Sequence, residues 1–155
     1  MRADPDTVRV ALPSHPKFLP LVRALAEQGA HMAGFGEEEC ERIVLGVTEG
    51  VSNVMRHGYG GCREQRIDLV LHAPEREFRL EVRDYGCFVD PEAIQSRPLD
   101  DVRPGGLGVH LMKTTMDSVT YRKNERGGTT LTLIKRLSGG PSRAAPDAET
   151  EEGEA

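Results

Sequence analysis

The chain has 155 residues, 37% hydrophobic and 29% charged, with 20 Lys plus Arg against 25 Asp plus Glu. That length suits one domain, and no apolar run reaches the roughly 18 residues of a membrane span. Trp is absent and no basic surface is encoded, which excludes direct nucleic-acid binding as the expectation.

The N-terminus, MRADPDTVRV, lacks the apolar stretch of a secretory leader. Thr7 to Leu12 alternates apolar and polar residues, the pattern of a half-buried strand. Ser14 ahead of Pro16 reads as a helix N-cap and an early helical position. Phe18, Leu21, Val22, Leu25 and Ala26 recur at helical spacing, so a helix is expected over 16–33, closing near Gly34. Gly36 opens a second helix with Glu37, Glu38 and Glu39 in its first turn, where the helix dipole favours acids. Its apolar stripe is Ile43, Val47, Val51 and Val54, and it should end near His57 and Gly58. The period then changes to two: Ile67, Leu69 and Leu71, then Phe78, Leu80 and Val82, around a turn at Ala73 to Arg76. Residues 84–106 hold glycines, prolines and charges and read as a long loop, the kind that usually serves function. Leu107 to Met116 looks helical, and strands at 119–123 and 129–135 flank a turn at Asn124 to Gly128.

The order is β-α-α-β-β-loop-α-β-β. Strands joined by short turns imply a mixed, mainly antiparallel sheet, and three amphipathic helices would cover one face. The expected fold class is an α/β (α+β) two-layer sandwich. Residues 138–155 carry one Arg and five acids with almost no large apolar side chain, and are expected to form a disordered acidic tail behind a domain at 1–137. Cys40, Cys62 and Cys87 are too far apart for a zinc cluster, and with no disulfide framework the chain reads as a reduced, cytoplasmic protein.

Three patterns carry chemistry. Glu49, Asn53 and His57 fall at i, i+4 and i+8 on one face of the second helix. Such a Glu/Asn pair can hold a divalent cation by the amide oxygen and activate a hydroxyl by the carboxylate; alone, it is equally an ordinary polar face. Asp84-Tyr85-Gly86 follows a strand, where a carboxylate can accept from an exocyclic amine and the glycine lets a planar ring approach; alone, it is a turn. Gly105-Gly106-Leu107-Gly108 leads into a helix, where free N–H groups can face a phosphate; alone, it is a hinge. No GKS or GKT follows, so this is not a Walker loop.

Taken in order, ExxxNxxxHGY, strand-DxG, long loop, GGLG-helix and a final GTT strand resemble the Bergerat-fold ATPases: gyrase, the heat-shock chaperone, histidine kinases and mismatch-repair ATPases. The phrases TEGVSNVMRHGY and GGLGVHLMK look most like the bacterial anti-sigma-factor serine kinases, over residues 7–137. Those proteins bind a sigma factor and use ATP to phosphorylate a serine of a small anti-sigma-factor antagonist. The resemblance implies ATP and Mg²⁺ as cofactors, a sigma factor and an antagonist as partners, no membrane partner, and a homodimer. It implies Glu49 as general base, Asn53 as the Mg²⁺ ligand, and Asp84 as acceptor of the adenine amine with Gly86 beneath the ring. Residues 88–104 would be a lid, with Phe88 where the superfamily's DxGxG carries its second glycine and where it would face the nucleotide. Gly105, Gly106, Leu107 and Gly108 would line the phosphates, Thr129 would support adenine, and His57 would lie near the phosphates or pack the helix end. The alternative is a non-catalytic ATP-binding module that sequesters a sigma factor or another signalling partner.

Overall fold

The computed structural model describes residues 2–86 and 107–138. Within them the order is β1 (Thr7–Pro13), α1 (Leu19–Met32), α2 (Glu37–Asn53), β2 (Arg66–His72), β3 (Glu77–Arg83), α3 (Leu107–Thr115), β4 (Ser118–Lys123) and β5 (Thr129–Arg136). The five strands form one sheet in the order β1-β2-β3-β5-β4. All four pairings are antiparallel, so the parallel pair that a mixed sheet would need is not used among the described residues.

Alternation along the strands sets the register. Leu69 stands opposite Val82 and Leu71 opposite Leu80, while Leu80 and Val82 stand opposite Leu133 and Leu131. These side chains all point to one face and are buried, together with Ile67 and Phe78. The alternate residues of β3, Glu77, Arg79, Glu81 and Arg83, are only partly buried and pair among themselves as Arg79–Glu77 and Arg83–Glu81. A one-residue slip would exchange these two sets, so the buried face fixes the register.

The helices lie on the apolar face. The expected stripe of α2 is buried, with Ile43, Val47 and Val51 fully so, and Cys40 joins it as a packing residue. Val22, Ala26 and Ala30 of α1, and Val109 and Met112 of α3, complete one continuous core. The helix foreseen over 16–33 begins as a 3₁₀ turn at Pro16–Phe18 before α1. Ser14 does not cap it. That turn is capped by His15, whose Nδ1 accepts from the N–H of Lys17 at 3.0 Å. Ser14 is buried and instead ties β1 to the segment before β2, donating to the carbonyl of Cys62 and accepting from the N–H of Gln65. A buried hydroxyl goes where unpaired backbone groups are, and the ones beside it belong to residues 62–65.

Leu80→Ala should lower the unfolding free energy by about 2–5 kcal/mol, the usual range for removing a buried leucine side chain. Glu41→Ala, on the exposed face of α2, should change it by less than about 0.5 kcal/mol. Urea denaturation of both variants checks this, and equal midpoints would mean that the core is not centred on β3.

Candidate functional site

The end of α2 is where the site begins. After Asn53 the helix widens into a π-helical turn over Val54–Gly58, a local feature that often marks functional positions. Across that turn Asn53 and His57 still share a face, as the i, i+4 spacing foresaw. Both line a pocket together with Gly50, Val54 and Gly58 on the helix side and Asp84, Tyr121 and Thr129 on the sheet side. The pocket opens to solvent and holds about 340 Å³ of empty space, its open mouth included.

Asp84 sits just past β3 and is 1% exposed. Its Oδ1 accepts from the N–H of Gly86 at 3.1 Å and of Thr129 at 3.2 Å. Among the described residues Oδ2 accepts no hydrogen bond, and it lies next to Gly58, where a Cβ would come within 3.0 Å of it. Burial pushes the Asp84 carboxyl above the ordinary carboxylate range, while the two N–H donors pull the other way. The backbone around it is equally constrained. The N–H of Asp84 donates to the carbonyl of Thr129 at 3.0 Å, and Asn124 Nδ2 donates to the carbonyl of Asp84 at 2.7 Å. Asn124 Oδ1 in turn accepts from the N–H groups of Arg126 and Gly128, holding the β4–β5 turn closed. A Cβ on Gly128 would stand 2.2 Å from the carbonyl oxygen of Asp84, and one on Gly86 would stand 2.2 Å from that of Gly58. Both positions therefore require glycine by close approach.

Asn53 is buried at the pocket wall. Its Oδ1 accepts from Arg56 Nη2 at 2.9 Å, and its Nδ2 is buried without a partner among the described residues. The amide oxygen thus already faces a cation, the guanidinium of Arg56. Mg²⁺ commonly takes one or two protein oxygens and leaves the rest to water and phosphate, so the residues present fit such an ion. No group of three or more His, Cys, Asp or Glu that could hold a metal exists among the described residues.

The structure brings Asn53, His57, Asp84 and Thr129 to one pocket. Gly86 lies beside it, against Gly58 and Tyr59. Glu49 is half-buried on α2, one turn before Asn53, and is not among the lining residues. Leu107 and Gly108 form the first turn of α3. Phe88, Gly105, Gly106, the expected lid over 88–104 and the tail beyond 138 lie outside the described residues.

Sequence reasoning missed Tyr121, Asn124 and Arg56. Tyr121 looked like a strand residue among others. Asn124 carried a turn signal, but its reach to Asp84, 40 positions away, depends on the pairing of β3 with β5.

Residues 12–135 match the family model described as a histidine kinase-like ATPase domain. The chain belongs to the histidine kinase-like ATPase family. It is 30% identical over 143 residues to a protein named serine-protein kinase RsbW from Halalkalibacterium halodurans, covering 86% of this chain and 85% of that one. It is 26% identical over 147 residues to the serine-protein kinase RsbW of Bacillus subtilis, covering 90% and 91%. The crystal structure of the RsbU and RsbW domains of a Mycobacterium tuberculosis protein matches with a TM-score of 0.60 at 22% identity, over 93% of this chain and 36% of that one. This likeness concerns the fold. The Bergerat-fold resemblance and the kinship with the serine kinases, both carried by the ordered motifs, are borne out.

The raised carboxyl of Asp84 has a consequence for stability in this ATPase domain. An acid whose folded pKa lies above its unfolded one stabilises the fold fully only below the unfolded pKa, and that contribution is lost as pH rises through the folded pKa. At neutral pH the ionised group therefore opposes folding. Asp84→Asn, which keeps an oxygen for the two N–H donors, should melt at a higher temperature than the parent at pH 7. The gap should narrow as pH falls toward 3.8, the ordinary value for the group. Calorimetric melting of the nucleotide-free proteins checks this, and a variant that melts lower at pH 7 would show that the charge is compensated in place.

Proposed function

We propose that this chain is an anti-sigma factor and ATP-dependent serine protein kinase of a partner-switching system. In this reading it transfers the ATP γ-phosphate to a serine of a small anti-sigma-factor antagonist. The observation that supports it most is the meeting, at one pocket, of a buried carboxylate with an open oxygen and a buried Asn amide from the helix opposite. The kinship with serine-protein kinases supplies the reaction class.

In this reading Asp84 Oδ2 accepts from the exocyclic amine of adenine. Thr129 supports the base, and Gly86 keeps backbone and ring close. Asn53 Oδ1 would hold Mg²⁺ in place of the Arg56 guanidinium. When bound there, the ion would neutralise charge on the phosphates as it develops. His57, Gly105, Gly106, Leu107 and Gly108 would surround the phosphates, with Leu107 and Gly108 in the first turn of α3, where N–H groups have no partner within the helix; Phe88 would face the nucleotide. Glu49 takes the proton of the acceptor serine as its oxygen attacks the γ-phosphorus, the bond to the β,γ-bridging oxygen breaks and ADP departs. Its place one turn from Asn53, beside the pocket and outside its lining, suits a base that meets a hydroxyl arriving from another protein.

The same reading places the protein in the cytoplasm as a homodimer. Among the described residues β1 is an outer strand of the sheet with no strand on its far side, and Val8 on it is exposed, which offers an edge to a second copy. Light scattering at micromolar concentration should give twice the chain mass; the single-chain mass would count against the dimer.

Glu49→Gln should bind ATP with nearly parental affinity and lose about 10²–10⁴-fold in transfer rate, the range for a positioned base. Asn53→Ala should lose Mg²⁺-dependent nucleotide binding together with turnover. Asp84→Asn should weaken ATP binding by about 1.5–3 kcal/mol, the scale of a hydrogen bond to a charged group. Labelled ATP, Mg²⁺ and candidate antagonists read the transfer, and titration calorimetry reads the binding. Transfer by Glu49→Gln at the parental rate would remove Glu49 from the chemistry.

A further inference from the structure

Tyr121 is left over once the pocket's other polar groups have been given work. It lies on β4 opposite Leu131 of β5, and it lines the same pocket as Asp84, Asn53 and Thr129. Its hydroxyl oxygen is buried and has no hydrogen-bond partner among the described residues. A buried hydroxyl without a partner forfeits the hydrogen bonds it would make to water, a loss of about 1–3 kcal/mol, so native proteins leave few of them and those few call for an explanation. Burial also pushes this phenol up to about 12, so it keeps its proton at neutral pH and is a donor. The Tyr121 hydroxyl thus lacks an acceptor among the described residues, and the open space it borders is the pocket.

We infer that Tyr121 is a second base-reading residue: its hydroxyl donates to a ring nitrogen of the purine whose amino group Asp84 accepts. This rests on the nucleotide reading above and deepens it. The chemistry selects the base. The Asp84 carboxylate only accepts and the Tyr121 phenol donates, while adenine presents an amine donor and unprotonated ring nitrogens as acceptors. A site with both partners discriminates more strongly than one with the carboxylate alone, because a base lacking either group leaves a buried polar atom unpaired.

Tyr121→Phe tests this, since it removes the oxygen and keeps the ring against the pocket. In the full-length protein with Mg²⁺, calorimetry should show ATP and ADP affinity falling roughly five- to tenfold, the factor for one ordinary hydrogen bond. The nucleotide-free variant should melt no lower than the parent, because the group removed had no partner to lose. One of the 1-deaza, 3-deaza and 7-deaza adenosine triphosphates should bind the parent weaker by a similar factor, yet bind Tyr121→Phe as well as ATP does. Parental affinity for ATP in Tyr121→Phe overturns the inference and leaves the nucleotide reading standing. So does a loss that couples to none of the three nitrogens, or a lowered melting temperature with unchanged affinity, the signature of a packing role. If the parent itself binds no ATP, the nucleotide reading fails and this inference falls with it.

Discussion

The carboxylate of Asp84, held by the N–H groups of Gly86 and Thr129, joins three parts of the molecule. It lies where β3 has just ended and β5 begins, and its own backbone is bonded on both sides, to Thr129 and to Asn124. The β4–β5 turn, the strand ends and the approach of Gly58 from the helix layer all close around this one side chain. A carboxylate this buried is tolerated because its Oδ1 has two backbone donors. The remaining oxygen is the part that packing does not consume, and it borders the pocket. The fold positions the acid by satisfying half of it.

Asn53 repeats the arrangement from the opposite wall. The buried stripe of α2 clamps the helix against the sheet, so the last residue before the π-helical turn is fixed in place, and the turn aims His57 and Gly58 back at the pocket. Arg56, exposed, folds back onto the Asn53 oxygen. That contact is made by a long, exposed side chain, so it does not bar the amide oxygen from another cation, and meanwhile it keeps that oxygen satisfied.

Much of this was legible in the sequence. The period-two runs at 67–71 and 78–82 and the stripe of Ile43, Val47 and Val51 foretell the strands, the central helix and the buried face. The order of elements yields the sandwich. The spacing of Glu49, Asn53 and His57 yields one helix face. Hydrophobic periodicity reports which side of an element is inside, and so it finds everything that burial alone decides. Ser14, Asn124 and Tyr121 were not legible, because each does its work through a neighbour 40 or more positions away or through a cavity. Ser14 carries the local signature of a cap, yet the unpaired backbone of residues 62–65 captures its hydroxyl. Tyr121 has no signature at all: β4 would read the same with Phe there, and only the cavity beside its oxygen makes the difference.

The polar groups of Asp84, Asn53 and Tyr121 at the pocket share one feature. The Asn53 Nδ2 and the Tyr121 hydroxyl are buried without a partner among the described residues, and of the Asp84 carboxylate only Oδ1 accepts a hydrogen bond there. Together they hold the nucleotide-free state below the stability that the apolar core alone would give. A ligand that completes them binds the folded state and not the unfolded one, and it raises stability in proportion to the logarithm of its concentration over its dissociation constant. The same atoms that weaken the empty protein are therefore the source of its affinity. In the partner-switching function proposed above, this ties the order of the helix–sheet seam to occupancy. The seam runs between α2, which carries Glu49 and Asn53, and the ends of β3 and β5. A surface that reads nucleotide state would be best placed along it, because there the difference between empty and filled is largest.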